Sequence, residues 1–390
     1  MTELLIKLFV KEAENTKCAH VREKYGILAG IVGIVANLFL GAAKFVIGLL
    51  SGSIAIQADA VNNLADMGSS VVTVIGFKAA NKKADKEHPF GHARVEYIAG
   101  LIIAFIILLI GVSLFKESVM KIIEPEEVGF SWITVIVLLL SIGVKLWLSF
   151  FSSNIGKRIN SKTMEAATAD SLCDVISTSA ILLSTLIGHF FNFNMDGYVG
   201  VLVAGFVVYS GIGIVKDTIS PLMGEAPDPD VVKELSERLL SYDGIIGLHD
   251  IIVHNYGPGR LIATAHAEVR ADADIMHSHE IIDLAEREIG NDMGLLLTLH
   301  MDPIEVDNEV LNAAKAQIKQ IIDALPEKLH FHDFRMVSGE KVCNLLFDIV
   351  VPPDTSDERA KEIKHTISEE AKKKDKRYNC IIEVDIDYAG

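Results

Sequence analysis

The chain has 390 residues, of which 50% are hydrophobic and 23% charged, and its formal net charge at pH 7 is −16. The acidic balance argues against a nucleic-acid partner and suits a protein that attracts cations. The 4 cysteines form no CxxC pair, so they give no sign of a thiolate metal site and fit a reducing cytosol.

Long apolar runs fill the chain from about Tyr25 to Lys216, whereas the part from Glu225 onward has the composition of a soluble protein. A hydrocarbon core of about 30 Å needs about 20 apolar residues per helical span. The sequence therefore predicts an α-helical membrane domain with six transmembrane helices: Ile27–Leu50, Ile54–Ala80, Val95–Phe115, Trp132–Phe151, Met164–His189 and Tyr198–Val215.

The positions of lysine and arginine predict the orientation of these spans. Basic residues cluster before the first span, between the second and third, and between the fourth and fifth. Because such residues favour the cytosolic side, we expect a multi-pass protein of the cell membrane, surrounded by lipid, with both termini in the cytosol.

The soluble part contains an internal repeat of the order α-β-β-α-β. The first copy predicts elements at Pro229–Ser241, Ile246–Asn255, Arg260–Val269, His277–Ile289 and Leu295–Met301. The second predicts elements at Asn308–Ala324, His330–Val337, Val342–Val351, Asp357–Lys373 and Cys380–Tyr388. This order is typical of cytosolic α/β ferredoxin-like modules. The predicted organisation is a cytosolic segment (1–24), a transport domain (25–217), a linker (218–228) and two tandem copies (229–306 and 307–390).

Two pairs of polar residues lie inside otherwise apolar helical stretches: Asn62 with Asp66, and Asp170 with Asp174. Each pair is spaced i, i+4, so both side chains point to one face of a helix. A carboxylate near the middle of a membrane helix costs about 3 kcal/mol on insertion scales, so simple pairing between helices is the less favoured interpretation. Oxygen ligands at membrane depth indicate a cation site.

The loop between the second and third spans offers another set of metal ligands, Asp85, His88 and His92. Two imidazoles one helical turn apart suit zinc or manganese. The same residues could instead cap and orient the next helix, because Pro89 suits a helix start. The residue pattern leaves both interpretations open.

Several motifs in this order resemble the cation diffusion facilitator family. They are DAVNNLAD in the second span, ATADSLCD in the fifth, HPFGHARVEYIAG at the third and LMGEAPD after the sixth. The resemblance covers about Tyr25 to Pro303. It implies a dimeric exporter that exchanges a divalent metal for protons by alternating access, with Asn62, Asp66, Asp170 and Asp174 as the transport site.

The resemblance also implies further positions. The loop residues match a metal site of the family, and Arg94 with Asp217 match a charge lock between helices. Five residues match the cytosolic metal positions that regulate the dimer: His249, His266, His279, His300 and Asp302. The equivalents in the second copy are His332, Asp348, Lys361, Asp385 and Asp387. The lysine argues that this copy has lost the histidine-type site, and the carboxylates leave a weaker oxygen site as the alternative.

The transport-site set departs from the zinc pattern, in which histidine is common at the positions of Asn62 and Asp170. Carboxylate and carbonyl oxygens suit Mn²⁺, whereas zinc favours nitrogen and sulfur. The set resembles the manganese-exporting branch, so Mn²⁺ is the expected substrate, followed by Fe²⁺ and Zn²⁺, with a divalent metal also as regulator. No organic cofactor is expected.

Two other functional classes compete with transport. A membrane-anchored metal sensor or scaffold would bind metal through the tail and pair with another transporter, but it would not need three buried carboxylates. An enzyme is not expected, because no nucleotide-binding loop, Ser/His/Asp arrangement or HExxH motif occurs in the sequence.

Overall fold

The computed structural model describes residues 2–10, 13–16, 19–51, 54–124, 131–191, 196–327, 329–339 and 341–386, without the side chains at 48, 50, 51, 54–59, 61, 62, 64, 65 and 196. Two compact units form. The first comprises Met1–Glu225 with Asn255–Leu261, and the second comprises Ala226–His254 with Ile262–Gly390.

Among the residues that the structure describes, the first unit contains seven helices, which follow one another along the chain. A short helix is followed by six of 27 to 33 residues. Their bounds are α1 (Thr2–Phe9), α2 (Ala19–Ser51), α3 (Ile54–Ala80), α4 (Val95–Ile123), α5 (Trp132–Ile159), α6 (Lys162–Phe191) and α7 (Asp196–Met223). Helix α7 continues beyond the predicted span because Ile219 and Leu222 extend its apolar pattern, so the predicted linker 218–228 begins inside a helix.

Five helices are long and apolar enough to cross a membrane among the residues that the structure describes: α2, α4, α5, α6 and α7. Together they make this a multi-pass membrane protein. Helix α3 has the predicted bounds and is 27 residues long, but it is not one of the five.

Helices α2 and α3 approach closely through glycines. A Cβ atom at Gly26 would lie 2.0 Å from Cγ of Phe77, and one at Gly30 would lie 2.3 Å from a methyl group of Val74. Small residues let membrane helices pack backbone to backbone. This contact fixes the helix that carries Asp66.

Helices α5 and α6 form a hairpin. Asn160 ends α5 with φ 45°, in the left-handed conformation that asparagine tolerates, and α6 begins at Lys162. At 1.5 Å per residue, Lys145 on α5 and Asp174 on α6 both lie about 20 Å from the turn. The hairpin therefore brings these two side chains to the same height.

The second unit contains the predicted repeat. The first copy consists of α8 (Pro229–Leu239), β1 (Gly247–Asn255), β2 (Leu261–Arg270), α9 (Ile275–Met293) and β3 (Leu295–Ile304). Its strands form a sheet in the order β1-β2-β3. Every second residue of β2 is buried, including Ala263, Ala265 and Ala267, so one face packs into the core.

The second copy has the same order: α10 (Glu309–Asp323), β4 (His330–Ser338), β5 (Cys343–Val351), α11 (Asp357–Lys374) and β6 (Tyr378–Ile386). Strand β5 pairs antiparallel with β4 and parallel with β6. Phe347, Ile349 and Ile367 are at most 1% exposed in a core of its own. The structure thus confirms two tandem αββαβ modules.

The first strand of each copy contains an aspartate with positive φ. Asp250 and Asp333 both have φ 51°, and each directly follows a histidine, His249 or His332. Strand β4 shifts its register on β5 between His332 and Arg335. Such an irregularity re-aims side chains. The same backbone irregularity therefore lies directly after a histidine of the predicted metal positions in both copies.

Candidate metal centres

Three carboxylates of the predicted transport site lie on α3 and α6. Asp66 and Asp170 are both 7% exposed, and Asp174 is partly buried. Ser69 Oγ donates a hydrogen bond of 2.7 Å to Asp170 Oδ2, which joins the two helices. Asn62 lies on α3 one turn before Asp66, but its side chain is outside the described residues.

A lysine that the sequence analysis did not single out lies between these carboxylates. Lys145 Nζ is 2.7 Å from Asp66 Oδ2 and 2.5 Å from Asp174 Oδ2. Its side chain is 5% exposed. Because two buried carboxylates share one ammonium group, their charge is partly neutralised without any metal. A lysine inside the apolar run LLLSIGVKLWLSFF was the signal that could have found it.

The loop residues Asp85, His88 and His92 do come together. Their ligand atoms lie within 4.8 Å of one another, and the two imidazole rings are 4.6 Å apart. Asp85 also accepts hydrogen bonds from Lys82 Nζ and from the backbone N–H groups of Glu87 and His88. Those contacts hold the pKa of Asp85 well below its usual range. The structure thus brings the three predicted ligands together, whereas α4 begins at Val95 without a side-chain capping hydrogen bond, so these residues do not cap the helix as the alternative predicted.

The first soluble copy brings three predicted ligands together. Asp302 Oδ2 is 2.8 Å from His266 Nδ1 and 3.2 Å from His249 Nε2. A tetrahedral ion with bonds of about 2.1 Å keeps its ligand atoms about 3.4 Å apart. Asp302 and His249 are both 8% exposed. Two imidazole nitrogens and a carboxylate oxygen therefore converge at one protected point.

The other two predicted residues of this copy lie differently. His300 Nε2 is 3.2 Å from Asp302 Oδ1, and its ring is 4.7 Å from that of His266, although its side chain is 67% exposed. His279 lies exposed on α9, and the converging group of His249, His266 and Asp302 does not include it. The structure thus joins four of the five predicted residues.

Electrostatics at this point favour positive charge. Burial opposes the charged form of His249, but the carboxylates of Glu268, Asp250 and Asp302 outweigh it and raise the pKa of His249. The same contact with His249 lowers the pKa of Glu268. A cation placed here would meet a set of groups that already stabilises positive charge.

The structure does not form the predicted charge lock. Between Arg94 and Asp217, both of them described, no ion pair forms: Arg94 Nη2 donates to the carbonyl of Asn255, and its guanidinium lies 4.6 Å from the Tyr256 ring centre. Asp217 is exposed. The prediction was wrong because a planar aromatic ring and a carbonyl oxygen offer Arg94 a better match than a solvated carboxylate.

A different buried pair joins the helices. Arg22 Nη2 on α2 donates to both carboxylate oxygens of Glu96 on α4, at 3.1 and 3.2 Å, and Arg22 Nη1 also donates to the carbonyl of Ile159 on α5. Glu96 is 3% exposed. One guanidinium therefore connects three helices.

Comparisons with known proteins agree with these features. Residues 30–223 match the cation efflux transmembrane domain. Residues 227–304 and 311–387 each match the cytoplasmic domain of cation efflux proteins, which confirms the repeat. An uncharacterized transporter of Methanocaldococcus jannaschii is 31% identical over 64% of this chain and 88% of its own length.

Two named relatives differ in their metals. The manganese efflux system protein MneP of Bacillus subtilis is 24% identical over 70% of this chain and 93% of its own length. A cadmium, cobalt and zinc/H(+)-K(+) antiporter of Bacillus velezensis is 27% identical over 65% of this chain and 82% of its own length. The chain therefore belongs to the cation efflux, or cation diffusion facilitator, family of divalent-cation exporters, whose members are transporters and not enzymes.

Proposed function

We propose that this protein is a proton-coupled manganese exporter whose transport site consists of Asn62, Asp66, Asp170 and Asp174. One observation carries the proposal: α3 and α6 hold Asp66 and Asp170 nearly inaccessible to solvent, joined through Ser69. Buried carboxylates in membrane helices are expensive and mark ion pathways.

The choice of Mn²⁺ rests on the donor atoms. The proposed set supplies only oxygen, which suits Mn²⁺ better than Zn²⁺. MneP and a second relative, MneS, are named as manganese efflux proteins, which favours the same ion. The Bacillus velezensis relative is named for cadmium, cobalt and zinc, so Fe²⁺ and Zn²⁺ are the next candidates.

Proton coupling follows from competition at one site. Carboxylates crowded together without a cation hold protons, and an arriving metal displaces them. Lys145 adds a tethered competitor, because its ammonium contacts Asp66 and Asp174 where a metal would bind. In this scheme the metal displaces Lys145 and the protons together, and their return releases the metal on the other side.

We propose that the membrane domain has six spans, namely the five apolar helices and α3. At 1.5 Å per residue, the 27 residues of α3 span about 40 Å, more than a hydrocarbon core of about 30 Å. We propose that both termini are cytosolic and that two chains form a homodimer within the lipid. The two matches to a cytoplasmic domain support the placement of the tail.

We further propose that the other clusters bind metal for regulation. In the first soluble copy the convergence of His249, His266 and Asp302 supports a regulatory site, with His300 and His279 as outer residues. The loop residues Asp85, His88 and His92 form a second candidate, weakened by the contact between Asp85 and Lys82.

One observation favours a second function. Because Lys145 already neutralises part of the charge of Asp66 and Asp174, these carboxylates could be a structural ion-pair network rather than a pathway. The protein would then be a non-transporting, membrane-anchored metal sensor or scaffold partner of another transporter.

Vesicles reconstituted with the purified protein distinguish these functions. Mn²⁺, Fe²⁺, Zn²⁺ and Co²⁺ uptake is measured side by side with a pH-sensitive dye. A manganese exporter gives Mn²⁺ flux with a matching proton flux, and Asp174→Asn abolishes both. Asp217→Asn is the control, because Asp217 is exposed. If proteoliposomes with the same protein content took up no metal, that result would support the scaffold function instead.

A further inference from the structure

The second soluble copy contains a cluster of its own. His332, Asp348 and Asp385 place one ligand atom each within 4.8 Å of the others, on the three adjacent strands of one sheet. His332 Nε2 is 3.3 Å from Asp385 Oδ2. Strand pairing sets His332 directly opposite Asp348. Divergence from the first copy has thus kept a cluster of one nitrogen and several oxygens.

This cluster lies against the first copy. The imidazole rings of His249 and His332 stack with their centres 4.8 Å apart and an angle of 22° between the planes. Asp250 Oδ1 of the first copy is 3.5 Å from His332 Nε2. A second group of ligand atoms therefore mixes the copies: His249, Asp250 and His332. The cluster around Asp302 in the first copy and the cluster around Asp385 in the second are therefore connected through the side chains of His249 and His332.

One buried nitrogen at this junction lacks a hydrogen bond. Nδ1 of His332 is inaccessible to solvent and has no hydrogen-bond partner within the part of the chain that the structure describes, whereas Nδ1 of His249 lies 3.4 Å from Oε1 of Glu268. His249 as a whole is 8% exposed, and the His332 side chain is 12% exposed. The opposite nitrogen of the His332 ring, Nε2, faces the carboxylates of Asp385 and Asp250, at 3.3 and 3.5 Å, and is the nitrogen that would bind a metal.

Charge at the junction also favours a cation. Asp348 and Asp385 of one copy and Asp250 of the other bring three carboxylates to the His332 ring. Arg335 faces Asp302 and Asp348 but forms its hydrogen bond with Asp333. The carboxylates therefore outnumber the cation that faces them.

We propose that the two soluble copies pair face to face within one chain and that their junction forms a second divalent-cation site, with ligands His332, Asp348 and Asp385 completed by Asp250. One imidazole nitrogen with carboxylate oxygens suits Mn²⁺ or Fe²⁺ rather than a zinc site of the histidine type. The stack of His249 on His332 joins this site to the one at Asp302, so occupation of one site positions a ligand of the other.

Counting bound Mn²⁺ on the full-length protein tests the site. The protein is purified in detergent, stripped with a chelator and dialysed against a series of free Mn²⁺ concentrations, and the bound metal is measured by mass spectrometry. We expect Asp348→Asn/Asp385→Asn to lose one Mn²⁺ per chain. His365→Ala is the control, because His365 is exposed on α11. An unchanged count at saturation would overturn the site.

Two further variants test the sharing between copies. Asp250→Asn alters the first copy but should weaken the second site about tenfold, whereas Asp243→Asn, at an exposed position of the same copy, should not. Equal affinities in these two variants would overturn the contribution of Asp250. Asparagine keeps the size of each side chain and tolerates the positive φ of Asp250, and elution volume on a sizing column reports whether each variant is folded. The transport site is left intact throughout, so its contribution to the count cancels.

Discussion

The ammonium nitrogen of Lys145 lies 2.5 Å from Oδ2 of Asp174, and the same nitrogen reaches Asp66 on another helix. The proposed transport site therefore contains its own cation. This contact changes what each substitution at the site should do, because every removed carboxylate also removes a partner of a buried lysine.

Lys145→Met should strengthen Mn²⁺ binding. The tethered ammonium competes with the metal, so its loss should raise the affinity about tenfold, or about 1.4 kcal/mol, while export slows because release becomes harder. Titration calorimetry gives the affinity and vesicle flux the rate. Lys157→Met, at an exposed position of the same helix, is the control. Unaltered affinity would show that Lys145 does not compete with metal.

Asp66→Asn, alone and combined with Lys145→Met, should separate the effect on stability from the effect on transport. Asp66→Asn removes one of the two carboxylates that Lys145 contacts but leaves Asp174, so it should cost only about 1–2 kcal/mol of folding free energy, in addition to abolishing flux. Asp66→Asn/Lys145→Met also removes the ammonium partner of Asp174 and should lower the thermal midpoint further, without recovering flux. Recovery of transport in the double variant would mean that Asp66 is not a ligand.

Asn62→His/Asp170→His should shift selectivity from Mn²⁺ toward Zn²⁺, because both positions then supply nitrogen ligands. The ratio of Zn²⁺ to Mn²⁺ flux in vesicles should rise at least tenfold. Ser69→Ala is a useful companion, because it removes the hydrogen bond to Asp170 without adding a nitrogen ligand. The same ratio in all three proteins would show that these positions do not select the metal.

Glu96→Gln should destabilise the membrane unit, whereas Asp217→Asn should not. Glu96 neutralises the buried guanidinium of Arg22, and its loss should cost about 3 kcal/mol. Asp217 is exposed, so its substitution should stay within about 0.5 kcal/mol. Thermal midpoints in detergent check both. If both substitutions lowered the thermal midpoint equally, Asp217 would contribute to stability as the predicted charge lock requires.

Asp333→Ala should destabilise the second soluble copy through its backbone. The positive φ of Asp333 costs an alanine about 1–2 kcal/mol. Asp333→Asn also loses the charge that pairs with Arg335 but keeps the tolerance for this conformation. A lower midpoint for alanine than for asparagine is expected. A midpoint for asparagine as low as that for alanine would assign the effect to the ion pair.

Much of the fold was predictable because it follows from local patterns. Apolar runs marked the helical cores, and α3 runs from Ile54 to Ala80 as predicted. Alternating apolar residues predicted the ends of the described strands of the tail to within a few residues. Strand β5 shows why, because every second residue of it is buried. The ends of α6 and α7 were less predictable: α6 runs to Phe191 and α7 to Met223, past the ends of the predicted spans.

The partners of charged residues were not predictable in the same way. Lys145 is one polar residue in an apolar run and carries no periodic signal, and its partner Asp66 is 79 positions away. Arg22 and Glu96 are 74 positions apart, on helices whose packing no local pattern specifies. Arg94 was assigned to the wrong partner for the same reason. Spacing identified ligands on one helix, such as Asp170 and Asp174, but not the cation that joins helices.

Because the two copies belong to one polypeptide, the contact between His249 and His332 is intramolecular. For linked domains the effective concentration of each partner for the other is set by the linker, in the millimolar range for short connections, and it does not change on dilution. The two halves are also present in equal number in every molecule. The two halves can therefore differ in the side chains that they bring together, three histidines near Asp302 in one and the single histidine His332 near Asp385 in the other.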